Sequence, residues 1–294
     1  MGHVAGTLRA PQRVDDSRPR RRGSHWTAVG LAFCAIASAT GGVEPAGAQT
    51  LWDDPAFALY RQAVEAMDKK NYAQAADLAG QAAARLPNHV LAHYLNGQAQ
   101  AAQGRWAEAA AALEKVVELY PDSFAGARDL GTSYDHLGRA DDAARAWDKA
   151  LALRDSDEVR ASLAFLLVKE GRRPQALQHL GVLAEHGSKR PEVWSTIARL
   201  NYETGDLKAS EKAFTQAVAL RDDGRTWFNL GVVRARLNDS TGALDAFEHA
   251  AQHTDTKEQA QKEIARIKGA PKSTTTPDRA PVERIPGTGP GYTR

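Results

Sequence analysis

The sequence predicts an all-α protein: a solenoid of six antiparallel helix pairs closed by a further capping helix. Three observations carry this. Gly104, Gly138, Gly171 and Gly205 stand 34, 33 and 34 residues apart, and Lys70 and Asn238 extend the ladder by one rung at each end. A fixed period of this length marks stacked repeats rather than one globular core. Two positions per period hold only small residues, and two others hold mostly large apolar ones. A stacked array offers a long surface suited to binding and seldom builds a catalytic pocket.

Each unit justifies its own elements. With Ala56, Val90, Phe124, Asp157, Pro191 and Gly224 as first residues, position 8 reads Ala63, Gly97, Gly131, Ala164, Ala198 and Gly231. Position 20 reads Ala75, Ala109, Ala143, Ala176, Ser210 and Ala243. Position 24 is large in five units, as Leu113, Trp147, Leu180, Phe214 and Phe247. Apolar residues at positions 20, 24 and 27 follow the spacing of one helical stripe, and those at 4, 7, 8 and 11 make a matching stripe on a preceding helix. Small residues at 8 and 20 let the two axes approach, while the large ones fill the space beside them. Position 15 must turn the chain out of the first helix in a left-handed conformation, which glycine, and next Asn238, adopts at least cost. Pro87 and Pro121 end the second helices of the first two units, because proline lacks the donor the next turn needs.

This pattern resembles the tetratricopeptide repeat family. Unit three carries it most fully, with Leu130-Gly131, Tyr134, Gly138, Ala143, Trp147 and Ala150 in register, and unit six repeats it with Trp227, Leu230-Gly231, Ala243, Phe247 and Ala250. The likeness covers residues 56–255. Units three to six lack a closing proline and hold Asp155, Ser188, Asp222 and Asp255 there; Asn96, Gln62 and Lys70 also depart from the pattern. The resemblance implies a right-handed α-solenoid whose first helices line a concave groove through positions 2, 5, 9 and 12. Carried over, the groove residues are Phe57, Tyr60, Val64, Leu91, Tyr94, Gln98, Arg128, Thr132, Asp135, Phe165, Ser195, Arg199, Tyr202, Arg225, Phe228 and Val232. Aromatic residues and arginine are the types that anchor interfaces. The family's carboxylate-clamp subgroup needs Lys and Asn at positions 5 and 9 of its first unit; Tyr60 and Val64 stand there, which argues against that clamp.

The chain ends differ from the array. Residues 1–48 read as an export leader: Arg20, Arg21 and Arg22, then an apolar stretch from Val29 to Ala39, then Ala46-Gly47-Ala48 before Gln49. The leader takes Cys34, the only cysteine, with it. Its six arginines against Asp15, Asp16 and Glu44 outweigh the net charge of +2, leaving residues 49–294 at −1, without the footprint of a nucleic-acid binder. Residues 256–268 read as an amphipathic helix, with Ala260, Ile264 and Ile267 on one face to cover unit six. Residues 269–294 alternate Pro271, Pro277, Pro281, Pro286 and Pro290 with Thr, Gly and charge, a composition that reads as disordered.

The chemistry-bearing residues do not assemble into a catalytic pattern. His249 and His253 stand four apart, but Ala250 replaces the glutamate of the metalloprotease motif, so they read as solvated side chains. His89 and His93 share that spacing across a helix boundary, and Ser133 with His136 lacks an orienting third group. The expectation is therefore a noncatalytic scaffold, with no metal and no cofactor, that binds a protein or peptide partner in the cell envelope, periplasmic or exported. A glycan-binding or accessory module of a polysaccharide export or secretion complex, using the aromatics on sugar faces, is the alternative.

Overall fold

A computed structural model describes residues 54–269, and the proposed leader and Pro-rich tail lie outside this range. The described residues form thirteen helices in chain order: α1 Pro55–Asp68, α2 Tyr72–Arg85, α3 Val90–Ala102, α4 Trp106–Leu119, α5 Phe124–His136, α6 Ala140–Leu153, α7 Asp157–Lys169, α8 Arg173–Glu185, α9 Pro191–Thr204, α10 Leu207–Leu220, α11 Gly224–Arg236, α12 Ser240–Ala250 and α13 Lys257–Gly269. Each helix packs on the next in sequence, the signature of a linear array. Five of the six first helices begin at the residue the repeat register names; the first begins one residue earlier, at Pro55.

Local chemistry sets the helix ends. Asp54, Ser123, Ser156 and Asp223 accept hydrogen bonds from backbone N–H groups at the starts of α1, α5, α7 and α11; Asn71, Asp206 and Asp239 do so for α2, α10 and α12. At the turn within each pair the chain takes a positive φ of 58 at Lys70, 72 at Gly138 and 62 at Asn238. Lys70 thus adopts the left-handed turn despite its Cβ, and the first unit keeps the geometry of the others.

The close approach of paired helices is direct. Ser210 Oγ donates to the carbonyl of Ala198 at 2.7 Å, joining position 20 of α10 to position 8 of α9. Ala143, Ala164, Ala176 and Ala243 are wholly buried. A Cβ added at Gly131 would stand 2.5 Å from the Trp147 ring, and one at Gly231 2.7 Å from Phe247, so the glycine at position 8 makes room for the large ring at position 24. The main core runs from Ala110 on α4 to Leu200 on α9. At the C-terminal end α13 sets Ala260, Ile264 and Ile267 on the cluster of Ala243, Phe247 and Ala250. No helix among the described residues is long and apolar enough to cross a membrane.

Candidate functional site

The first helices of the second and third repeats, α3 and α5, touch each other. Three of the sixteen groove residues meet there. The Tyr94 hydroxyl donates to Asp129 Oδ2 at 2.9 Å, and Gln98 Nε2 donates to the Tyr94 hydroxyl at 2.8 Å and to Asp129 Oδ2 at 3.3 Å. Arg128 Nε donates to Asp129 Oδ1 at 2.7 Å. One carboxylate therefore orders a tyrosine, an amide and a guanidinium from two adjacent repeats. Burial first, then the Asp129 charge, hold the Tyr94 phenol well above its usual range, so its proton stays in place. The Asp129 hydrogen bond likewise raises Arg128.

This cluster is half-buried, with side chains of Arg128 and Asp129 33% and 21% exposed, so it is open to a ligand yet held in shape. Charged hydrogen bonds of this kind are the strong ones, and the bond through Nε fixes the guanidinium of Arg128 against Asp129. Phe124 extends the cluster along α5: its ring lies 5.9 Å from Arg128 Cζ and 3.6 Å from Arg154 Cζ. Such a surface can bind polar and apolar groups of an extended chain side by side; it holds no arrangement of nucleophile, base and third group.

The remaining groove residues are placed as follows. Phe57 and Tyr60 on α1 tilt against His89, with ring centroids 4.7 and 5.0 Å away. Val64, Leu91, Asp135, Ser195 and Val232 are half-buried, and Thr132 is exposed. Arg190 Cζ lies 5.9 Å from the Phe165 ring. Arg199 is paired with Glu203 at 3.1 Å, and the exposed Arg225 with Asp255 at 3.4 Å. Phe228 packs on Phe247 at 5.3 Å.

Tyr202 is a correction. It is only 6% exposed because it packs in the buried cluster of Ala198, Phe214 and Leu230, and Arg236 of the next repeat lies over its ring at 4.8 Å. The histidine reading is also corrected. His249 stacks on Trp227 at 4.3 Å, and His253 Nε2 meets Asp222 Oδ1 at 3.2 Å, while Trp227 Nε1 donates to the same oxygen at 2.7 Å. His253 thus ties repeat six to the loop before it, while His249 stacks within repeat six and keeps its side chain 45% exposed.

Sequence reasoning missed Asp129, at position 6, beside the groove positions but not among them. The available signal was a carboxylate next to Arg128, one repeat length plus one residue beyond Tyr94.

Comparison with known proteins agrees with this architecture. The tetratricopeptide repeat family matches residues 60–124 and 195–258. The chain is a tetratricopeptide repeat protein. Repeats of this family build scaffolds for protein–protein interaction, and this chain carries that scaffold. Among curated proteins, the Hsp70-Hsp90 organizing protein of Triticum aestivum is 39% identical over 114 residues, 38% of this chain and 19% of the relative. The tetratricopeptide repeat chain thus spans under a fifth of that relative's length. Among solved structures, YrrB, described as a TPR protein with an unusual peptide-binding site, superposes with a TM-score of 0.56 at 17% identity, over 64% of this chain and 98% of that one. MamA gives 0.52 at 16% identity over 58% and 94%, and PilF of Pseudomonas aeruginosa gives 0.53 at 14% over 73% and 98%. At these identities the likeness concerns the fold alone.

Proposed function

We propose that this protein is a noncatalytic scaffold of the bacterial cell envelope that binds an extended segment of a protein partner along its first helices. The observation that carries the reading is the Tyr94–Gln98–Asp129–Arg128 network, which crosses the boundary between repeats on the first-helix face. A polar network that orders side chains without joining a helix to its own pair suits recognition better than it suits packing. A lone repeat could not assemble it, so the site exists only in the stacked array. The likeness to a TPR protein with an unusual peptide-binding site and to an Hsp70-Hsp90 organizing protein supports a protein partner. The envelope placement rests on the arginine–apolar–Ala-x-Ala order of residues 20–48.

The test removes recognition groups and spares the fold. Tyr94 also leans on the main core, so Tyr94→Phe, which deletes only the hydroxyl, is preferred to alanine. Tyr94→Phe combined with Arg128→Gln should keep the helical circular dichroism and lose more than about tenfold in affinity for the partner recovered by the wild type. Unchanged affinity in a folded double variant would move the binding site to another face.

A further inference from the structure

His89 holds two neighbouring repeats through one neutral ring. It is the residue before α3, and its Nδ1 accepts the backbone N–H of Ala92 at 3.2 Å. An accepting Nδ1 carries no proton, so the ring is neutral with its proton on Nε2. That Nε2 is buried and has no hydrogen-bond partner. The ring is 7% exposed and lies against Phe57 and Tyr60 of α1. The same side chain therefore caps the first helix of repeat two and forms the floor on which repeat one packs.

The surroundings can be named element by element. Asp54, at the start of α1, favours a charge on His89; His93, on α3 itself, opposes it. Tyr60 of α1 stays a neutral phenol, its ionisation raised by burial. From α2, Ala82 and Ala83 join Ala92, Leu59 and Tyr60 in the adjoining apolar cluster, while Arg85 in its last turn is exposed. His93 is tied outward, its Nε2 donating to the carbonyl of Pro87 at 2.9 Å. Adding a proton to His89 would set N–H against N–H at the cap and place a cation among apolar side chains.

We propose that His89 is an acid-sensitive latch: neutral, it clamps the first repeat onto the second, and protonated, it uncaps α3 and frees α1 and α2 from the array. Burial, the largest influence, lowers the affinity of His89 for a proton in the closed state. The freed state binds that proton near the ordinary value of about 6.5. Between the two values the freed state holds more protons, so closure strengthens as pH rises. The latch is fully closed above about 6.5 and is lost as pH falls toward the depressed closed-state value, the ratio of freed to closed growing by up to about tenfold per pH unit.

The test is hydrogen exchange on the full chain at about pH 5 and about pH 7.5, on either side of the ordinary histidine value, with exchange corrected for its intrinsic pH dependence. Protection of α1–α2 should fall severalfold at the lower pH relative to α5–α8. His89→Asn, which keeps a side-chain acceptor that does not titrate, should abolish that pH dependence, and His93→Gln should retain it. Should the Asn variant be open at both pH values, the His89 ring in the wild type is titrated by NMR, where the latch requires a midpoint below that of a free histidine. Wild-type protection independent of pH, dependence persisting in His89→Asn, or an ordinary or raised midpoint would each overturn the proposal. None of these readouts involves a binding partner, so the latch and the binding site fail or stand separately.

Discussion

Adding one methyl group at Gly131 probes a close approach between paired helices. The new Cβ would stand 2.5 Å from both Cδ1 and Nε1 of Trp147 and 2.8 Å from Cγ. The ring cannot swing aside freely: it is 3% exposed, and its Nε1 donates to the carbonyl of Arg128 at 3.1 Å. Overpacking of this kind costs about 1–3 kcal/mol. Losing the buried indole bond adds about 1–3 kcal/mol where the ring is displaced. Alanine in place of a helical glycine returns about 1 kcal/mol. Where the ring is displaced, Gly131→Ala should therefore destabilise by about 1–5 kcal/mol, with each kcal/mol lowering the melting temperature by about 2–4 °C in an array of this size. Gly181→Ala is the matched control, because nothing lies within 4 Å of the position its Cβ would take in α8. It should stabilise by up to about 1 kcal/mol through helix propensity alone. Denaturation followed by circular dichroism should give opposite signs for the two variants. A Gly131→Ala protein as stable as the wild type would refute the reasoning that position 8 is small to admit the position 24 ring.

Other expectations follow from the same geometry. Ala143→Leu at the wholly buried position 20 of α6 should cost about 1–3 kcal/mol in a denaturant titration, and no loss would put the repeat register out of phase. Tyr202→Ala should cost about 3–5 kcal/mol, as for a buried aromatic, whereas Tyr94→Phe should leave the melting temperature near wild type; equal losses would erase the distinction between core and binding face. Hydrogen bonds from Trp227 and then His253 hold the Asp222 carboxyl below its usual range. Its contribution is therefore present above about pH 4 and is lost as pH falls through the depressed value, and Asp222→Asn should flatten that stretch of an acid titration.

Much of the fold was legible because the constraint that sets it recurs every turn of the array. The small residues at positions 8 and 20 and the left-handed turn at position 15 each appear six times, so a chance exception such as Lys70 does not hide the period. Features that depend on one pair of neighbours were not legible. Tyr202 reads as a groove residue from its position, but it clusters with Phe214 of the partner helix and Leu230 of the next repeat, and Arg236 lies over its ring. Asp129 orders Tyr94 and Arg128 because α3 and α5 come together, which single-repeat spacing does not express. His253 became a partner of Asp222 for the same reason: the contact lies between a loop and a turn 31 residues apart.

Site-directed photo-crosslinking in the native cell tests the central claim most directly. A photoreactive side chain at Thr132, exposed on the first helix α5 beside the Arg128–Asp129 pair, is compared with one at Arg145, exposed on the second helix α6. Binding along the first helices predicts a discrete protein adduct from the Thr132 position, lost when Arg128→Gln and Tyr94→Phe are introduced, and none from Arg145. An adduct from Arg145 alone, or one from Thr132 that survives both substitutions, would contradict it.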